Sequence, residues 1–258
     1  MAAVVFGKTS PARGHLAVCL GVGLALAATA LNTGCAPASL EASPQPGPQP
    51  GPPGDEQGEL PPGIPATFDK NLIITDAFFT ASNFIGADEV QAFFEVTPYG
   101  TRSWMANATL GQARLADVLV DIAVAHDLNP IVLIARMQVE QSLVAPTENP
   151  GGNRVDFAFG CGCPDGQACN EAYRGLDKQL ECAATTLEKW YLRSQSGDGL
   201  FVMGQPGDTL DPDIVVPASH ATASLYAYTP WVLEDQGGNW LVWKILARYT
   251  DHVIAEIL

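Results

Sequence analysis

Apolar residues recur at helical spacing in six stretches of the chain, and polar or Gly/Pro-rich segments separate them. From Gly86-Ala87-Asp88 to Phe94, the residues Val90, Phe93 and Phe94 share one side of a short predicted helix. Over 112–126, Leu115, Val118, Leu119 and Ile122 follow the i, i+3, i+4, i+7 pattern of an amphipathic helix. The stretch 130–144 (PIVLIARMQVEQSLV) is almost wholly apolar, with Leu133, Met137 and Val144 on an inward stripe and Ile134 beside it. Asn129-Pro130 predicts its entry, because Pro at the first helical position gives up an N–H that would be unpaired anyway. Further helices are predicted over 176–194, over 219–228 with a stop at Pro230, and over 239–257, where Trp240, Trp243, Leu246, Val253 and Ile257 recur.

Other stretches are not helical in pattern. Residues 71–79 (NLIITDAFF) read as a strand or an extended docking segment, 102–109 as irregular, and 197–217 as loop. Residues 148–166 (ENPGGNRVDFAFGCGCPDG) hold too much Gly, Pro and Asn for a helix, and 155–159 predicts a small hairpin. The pattern is that of a mainly α domain (α+β) with a small cysteine-stapled β-hairpin or loop.

The N-terminal quarter changes the picture. Residues 1–35 carry Lys8 and Arg13, no acid, and an apolar run over 16–31, short for a membrane span and suited to a signal peptide. The run ends in Leu31-Asn32-Thr33-Gly34-Cys35, which resembles a bacterial lipobox and makes Cys35 the expected lipidation site. Ordinary signal cleavage and an uncleaved anchor are the alternatives. Residues 36–66 hold ten of the twenty prolines and five glycines, the composition of an extended, disordered tether. A folded domain is expected over 67–258. There 11 Lys and Arg face 24 Asp and Glu, a net charge of −13, which argues against nucleic acid as a partner.

With Cys19 in the signal and Cys35 acylated, Cys161, Cys163, Cys169 and Cys182 remain, an even set for an oxidising compartment. Pairing 163–169 with 161–182 avoids closing the very tight Cys161-Gly162-Cys163 loop. A four-thiolate zinc site is the rival, weakened by the absence of paired CxxC knuckles.

Five segments together resemble the lysozyme-like domain of secreted bacterial, notably actinobacterial, hemagglutinin-like peptidoglycan hydrolases. They are 74–94 (ITDAFFTASNFIGADEVQAFF), 129–144 (NPIVLIARMQVEQSLV), 159–176 (FGCGCPDGQACNEAYRGL), 221–229 (ATASLYAYT) and 238–243 (GNWLVW), in the same order as in that family. The resemblance implies a lysozyme-like fold and action on the peptidoglycan glycan. It aligns Glu140 with the acid of a K-E-Q-G-L segment, with Val139 in place of the Lys and Ser142 in place of the Gly. Cys163, Asp165 and Cys169 match a CPD…C element; Cys161 and Cys182 look like additions.

Glycoside cleavage needs a carboxyl that can protonate the leaving oxygen. Glu140 is the one acid on its apolar helix, and burial beside Met137, Leu143 and Phe157 or Phe159 would raise its pKa; a solvated helix-end residue is the plain alternative. A hydrolase would also want a second carboxylate, for which Asp156 is preferred over Glu148 and Asp165. A lytic transglycosylase would not, since a hydroxyl of the substrate attacks. Gln141, Ser142, Asp165, Tyr226, Tyr228 and Thr229 are candidate substrate-binding residues, although core packing explains the tyrosines as well and turn formation explains Asp165 better. His126, His220 and His252 read as structural. No cofactor and no metal are implied. The expectation is an exported, lipid-anchored envelope protein, at the outer membrane or cell surface, that cleaves peptidoglycan glycan strands. The rivals are a non-catalytic peptidoglycan-binding lipoprotein and a structural envelope protein on the same fold.

Overall fold

The computed structural model describes residues 63–164 and 166–258. The signal run, Cys35, nearly all of the Pro/Gly tether and Asp165 lie outside the described residues. About half of the described residues are helical, and the β-structure among them is two antiparallel two-stranded ladders.

Residues 71–74 form no strand and are not extended; they leave a turn and bend as they dock. Ile73 and Ile74 are buried, and both of their amides donate to the Thr222 hydroxyl, at 3.0 and 3.4 Å. The chain then turns into α1 (Asp76–Phe79), whose first turn is capped by the Thr75 side chain. Next comes α2 (Ala87–Glu95), which buries Val90, Phe93 and Phe94 as its spacing predicts. The stretch predicted as irregular holds a 3-10 turn, Trp104–Asn107, followed by β1 (Thr109–Leu110) and β2 (Ala113–Arg114). Gly111, at φ 63°, supplies the left-handed backbone their two-residue turn requires. The helix predicted from Gln112 therefore starts later, as α3 (Leu115–Ala125).

The apolar helix is α4 (Pro130–Gln141). Asn129 caps it: its side-chain oxygen accepts the Ile131 amide (3.0 Å), and its amide group donates to the Phe78 carbonyl (3.1 Å). The helix ends at Ser142, which is left-handed (φ 54°, ψ 45°). Leu143 and Val144 are buried beyond the cap rather than within the helix. A left-handed cap favours glycine, and here the position is taken by serine.

The hairpin expected at 155–159 does not form. Val155 and Asp156 close α5 (Gly152–Asp156) instead. Phe157, Ala158 and Phe159 are consecutive and all buried, whereas a half-exposed hairpin would send alternate side chains to solvent. The cysteine-stapled element is accordingly a loop. After a 3-10 turn at Glu171–Tyr173, α6 (Leu176–Ser196) runs past Cys182. The predicted loop 197–217 carries β3 (Gly207–Asp208) and β4 (Ile214–Val215). The chain closes with α7 (His220–Tyr228) and α8 (Gly238–Glu256). From Ala221 to Tyr228 every residue of α7 is buried. It is the central helix, packed mainly on α6, while α4 packs on α8.

His126, which ends α3, joins that helix to α6: its Nδ1 lies 2.7 Å from Glu188 and its Nε2 3.1 Å from Glu181. Burial works to lower its pKa. The carboxylates, Glu188 foremost, outweigh this and hold it above the ordinary 6.5. A raised folded-state pKa contributes stability that is complete below the unfolded value and is lost as pH rises through the folded one. The stability advantage of wild type over His126→Gln should therefore shrink as pH is taken from about 6 to about 9. Thermal melts at a series of pH values check this, and a constant difference would contradict it.

Candidate active site

One turn of α4 separates Arg136 from Glu140, so the two side chains meet on the same helix face. Arg136 is fully buried, and the Glu140 side chain is 15% exposed. Arg136 Nη2 donates to Glu140 Oε1 and to the Thr229 hydroxyl at 2.8 Å. Thr229 is the residue that ends α7. The guanidinium also lies over the Tyr228 ring, 4.3 Å from its centroid. Arg136 Nε and Nη1 are buried without a hydrogen-bond partner.

Tyr228 extends this cluster to the loop, its hydroxyl donating to the Phe159 carbonyl at 2.8 Å. Burial, and secondarily the Glu140 charge, push its pKa up, so it remains a phenol donor. The next loop residue, Gly160, has φ 72°, and a side chain begun there would lie 3.9 Å from Glu140 Oε2. One carboxyl oxygen is thus taken by Arg136, while the other sits beside a residue with no side chain. Glu140 is not the lone acid in apolar surroundings that the pattern suggested, for its nearest partner is a cation. Arg136 is not among the residues singled out from the sequence, although an i, i+4 Arg–Glu pair on an apolar helix is visible there.

The other predicted residues lie differently. Asp156 pairs with Arg174, which also binds Glu171. Glu148 is exposed, and Asp165 lies outside the described residues. Gln141 is half-buried and Ser142 exposed; their carbonyls accept from Arg154 Nη2 at 2.7 and 3.3 Å. Tyr226 is not a cleft residue: it is fully buried, and its hydroxyl donates to the Lys70 carbonyl (2.8 Å). The all-buried helix α7 leaves it no open face. Tyr228 and Thr229, also buried, instead surround Arg136. His220 does meet a hydroxyl, Ser194 Oγ at 2.9 Å. That oxygen is buried and also accepts the Met203 amide, so the pair serves as a strut.

The loop beside Glu140 is clamped from two directions. Disulfides Cys161–Cys182 and Cys163–Cys169 form as the spacing predicted, which rules these thiols out as zinc ligands. Gln179 on α6, fully buried, accepts the Phe159 and Cys161 amides, both at 3.1 Å. Its amide group donates to the Cys161 and Tyr173 carbonyls, at 2.9 and 2.8 Å. A cavity of about 570 Å³ opens nearby, with Trp104, Asn107, Leu110, Asn149 and Val155 in its walls. Glu140 does not line it. Among the described residues, no cluster of His, Cys, Asp and Glu is placed to hold a metal ion.

These features define a mainly helical domain stapled by two disulfides. No family model, curated protein or solved structure matches the chain.

Gln179→Ala would strip buried partners from the loop backbone while leaving both disulfides intact. It should destabilise the domain by about 2–4 kcal/mol, read by denaturant unfolding under non-reducing conditions. A change below about 0.5 kcal/mol, the range of an ordinary surface substitution, would show that the disulfides hold the loop without it.

Proposed function

We propose that the chain is an exported, lipid-anchored envelope protein whose lysozyme-like domain cleaves the glycan of peptidoglycan, with Glu140 handing the leaving oxygen its proton. The carrying observation is the carboxyl itself. It is mostly buried at a helix end, with one oxygen held by a guanidinium and the other next to the bare backbone of Gly160. Such an arrangement supplies one oriented proton-transfer group. Asp156 is engaged by Arg174, so the one-carboxylate route asks less of this site. In that route, a hydroxyl of the substrate attacks and water is not activated, which is lytic transglycosylation. Export rests on Lys8 and Arg13, the apolar run 16–31 and Cys35, followed by the proline tether.

A second reading, a glycan-binding domain without catalysis, is favoured by the same ion pair. An acid already neutralised by a buried cation also serves as a structural strut.

A zymogram with purified protein in peptidoglycan-loaded gel separates the two. Wild type should clear the gel, and Glu140→Gln should lose on the order of 10²-fold or more. Equal clearing by both removes Glu140 from the chemistry. Clearing by neither, with retention on insoluble peptidoglycan, establishes the binder. For the anchor, Cys35→Ser should abolish incorporation of labelled fatty acid and move the protein from the membrane to the soluble fraction; unchanged labelling would refute lipidation there.

A further inference from the structure

We infer that Arg136 is a positioning residue, whose buried guanidinium fixes the Glu140 carboxyl so that Oε2 is the oxygen offered beside Gly160. The inference rests on the reading of Glu140 as the proton-transfer group.

Stability alone does not account for Arg136. A cation held entirely out of water is costly unless its donors are met, and replacing a buried ion pair with apolar side chains of similar volume is often neutral or stabilising. Here two of the three guanidinium nitrogens, Nε and Nη1, have no acceptor. The third, Nη2, bonds to two acceptors on different elements, Glu140 on α4 and Thr229 at the end of α7. The Tyr228 ring restrains the guanidinium plane from one face. Tyr228 in turn holds the Phe159 carbonyl, and the residue after Phe159 is the glycine beside Glu140. The circuit closes: the carboxyl and the backbone it faces are both referred to the same guanidinium. Proton transfer to a bound substrate depends on placement within about 0.5 Å, and this circuit is what fixes the placement.

The test uses the full chain, soluble peptidoglycan fragments as substrate, and thermal melts to confirm that every variant is folded at the assay temperature. Thr229→Val removes the second acceptor of Nη2 and should lower kcat roughly tenfold with KM unchanged. Thr229→Ser restores a hydroxyl and should keep the wild-type kcat. Arg136→Lys keeps the charge but loses the planar fork and should lower kcat by on the order of 10²-fold. Wild-type kcat in both Thr229→Val and Arg136→Lys, with Glu140→Gln inactive, overturns the inference and leaves the catalytic reading standing. A loss confined to KM in Thr229→Val also overturns it, because Thr229 would then be touching substrate. An inactive wild type removes both.

Discussion

A guanidinium sealed from solvent must be neutralised where it lies, and the arrangement around Arg136 follows from that requirement. Its charge is met by Glu140 one turn along the same helix, by the Thr229 hydroxyl, and by the face of the Tyr228 ring. Removing one partner of such a pair costs about 3–5 kcal/mol, because the remaining charge stays buried. By comparison, burying a large apolar side chain contributes about 1.5–3 kcal/mol. The Arg136–Glu140 pair itself lies within α4, and Arg136 reaches the end of α7 through the Thr229 hydroxyl. The pair also brings a carboxyl to a nearly closed part of the surface.

A second constraint acts on the segment after α5. Three consecutive buried residues, Phe157 to Phe159, carry their backbone into the interior, where unpaired amides are costly. No strand lies alongside to accept them. The side-chain amide of Gln179 takes that part, bonding to backbone groups at Phe159, Cys161 and Tyr173. The Cys161–Cys182 bridge, anchored three residues further along α6, limits the same loop covalently. Gly160 thus acquires a defined position opposite Glu140 although it belongs to no regular element. Rigidity on the loop side and charge on the helix side meet at one carboxyl.

Much of the fold was legible as periodicity. The helices with strong apolar spacing appear where expected, and the Asn129-Pro130 start, the Gly86 start and the stop after Tyr228 follow from local backbone chemistry. Loop geometry excluded a Cys161–Cys163 bridge, and the pairing it favoured is the one that forms. Less was legible where a short apolar run had no period to read. At 155–159 the residues suit a strand by type, yet their burial on all sides decided otherwise. Residues 76–79 formed one helical turn because Thr75 capped it. Of the site, the Glu140 position and its place at a helix end were visible. Its cationic partner was not singled out, and of the two readings of Tyr226, cleft lining or core packing, the buried α7 selects the core.

The sequence by itself determined the helical class, the starts of α2 and α4, the exclusion of a Cys161–Cys163 bridge and the acid near the end of α4. Each of these depends on neighbours within a few residues or on the closure of a short loop. Only the tertiary structure decided that Arg136 is sealed against Thr229 and Tyr228, that Glu140 lies beside Gly160, that Asp156 belongs to Arg174, and that Gln179 replaces a missing strand. Those pairings join residues far apart along the chain, such as Arg136 with Thr229. Periodicity says which face of a helix is buried; packing alone says which polar group waits on the other side.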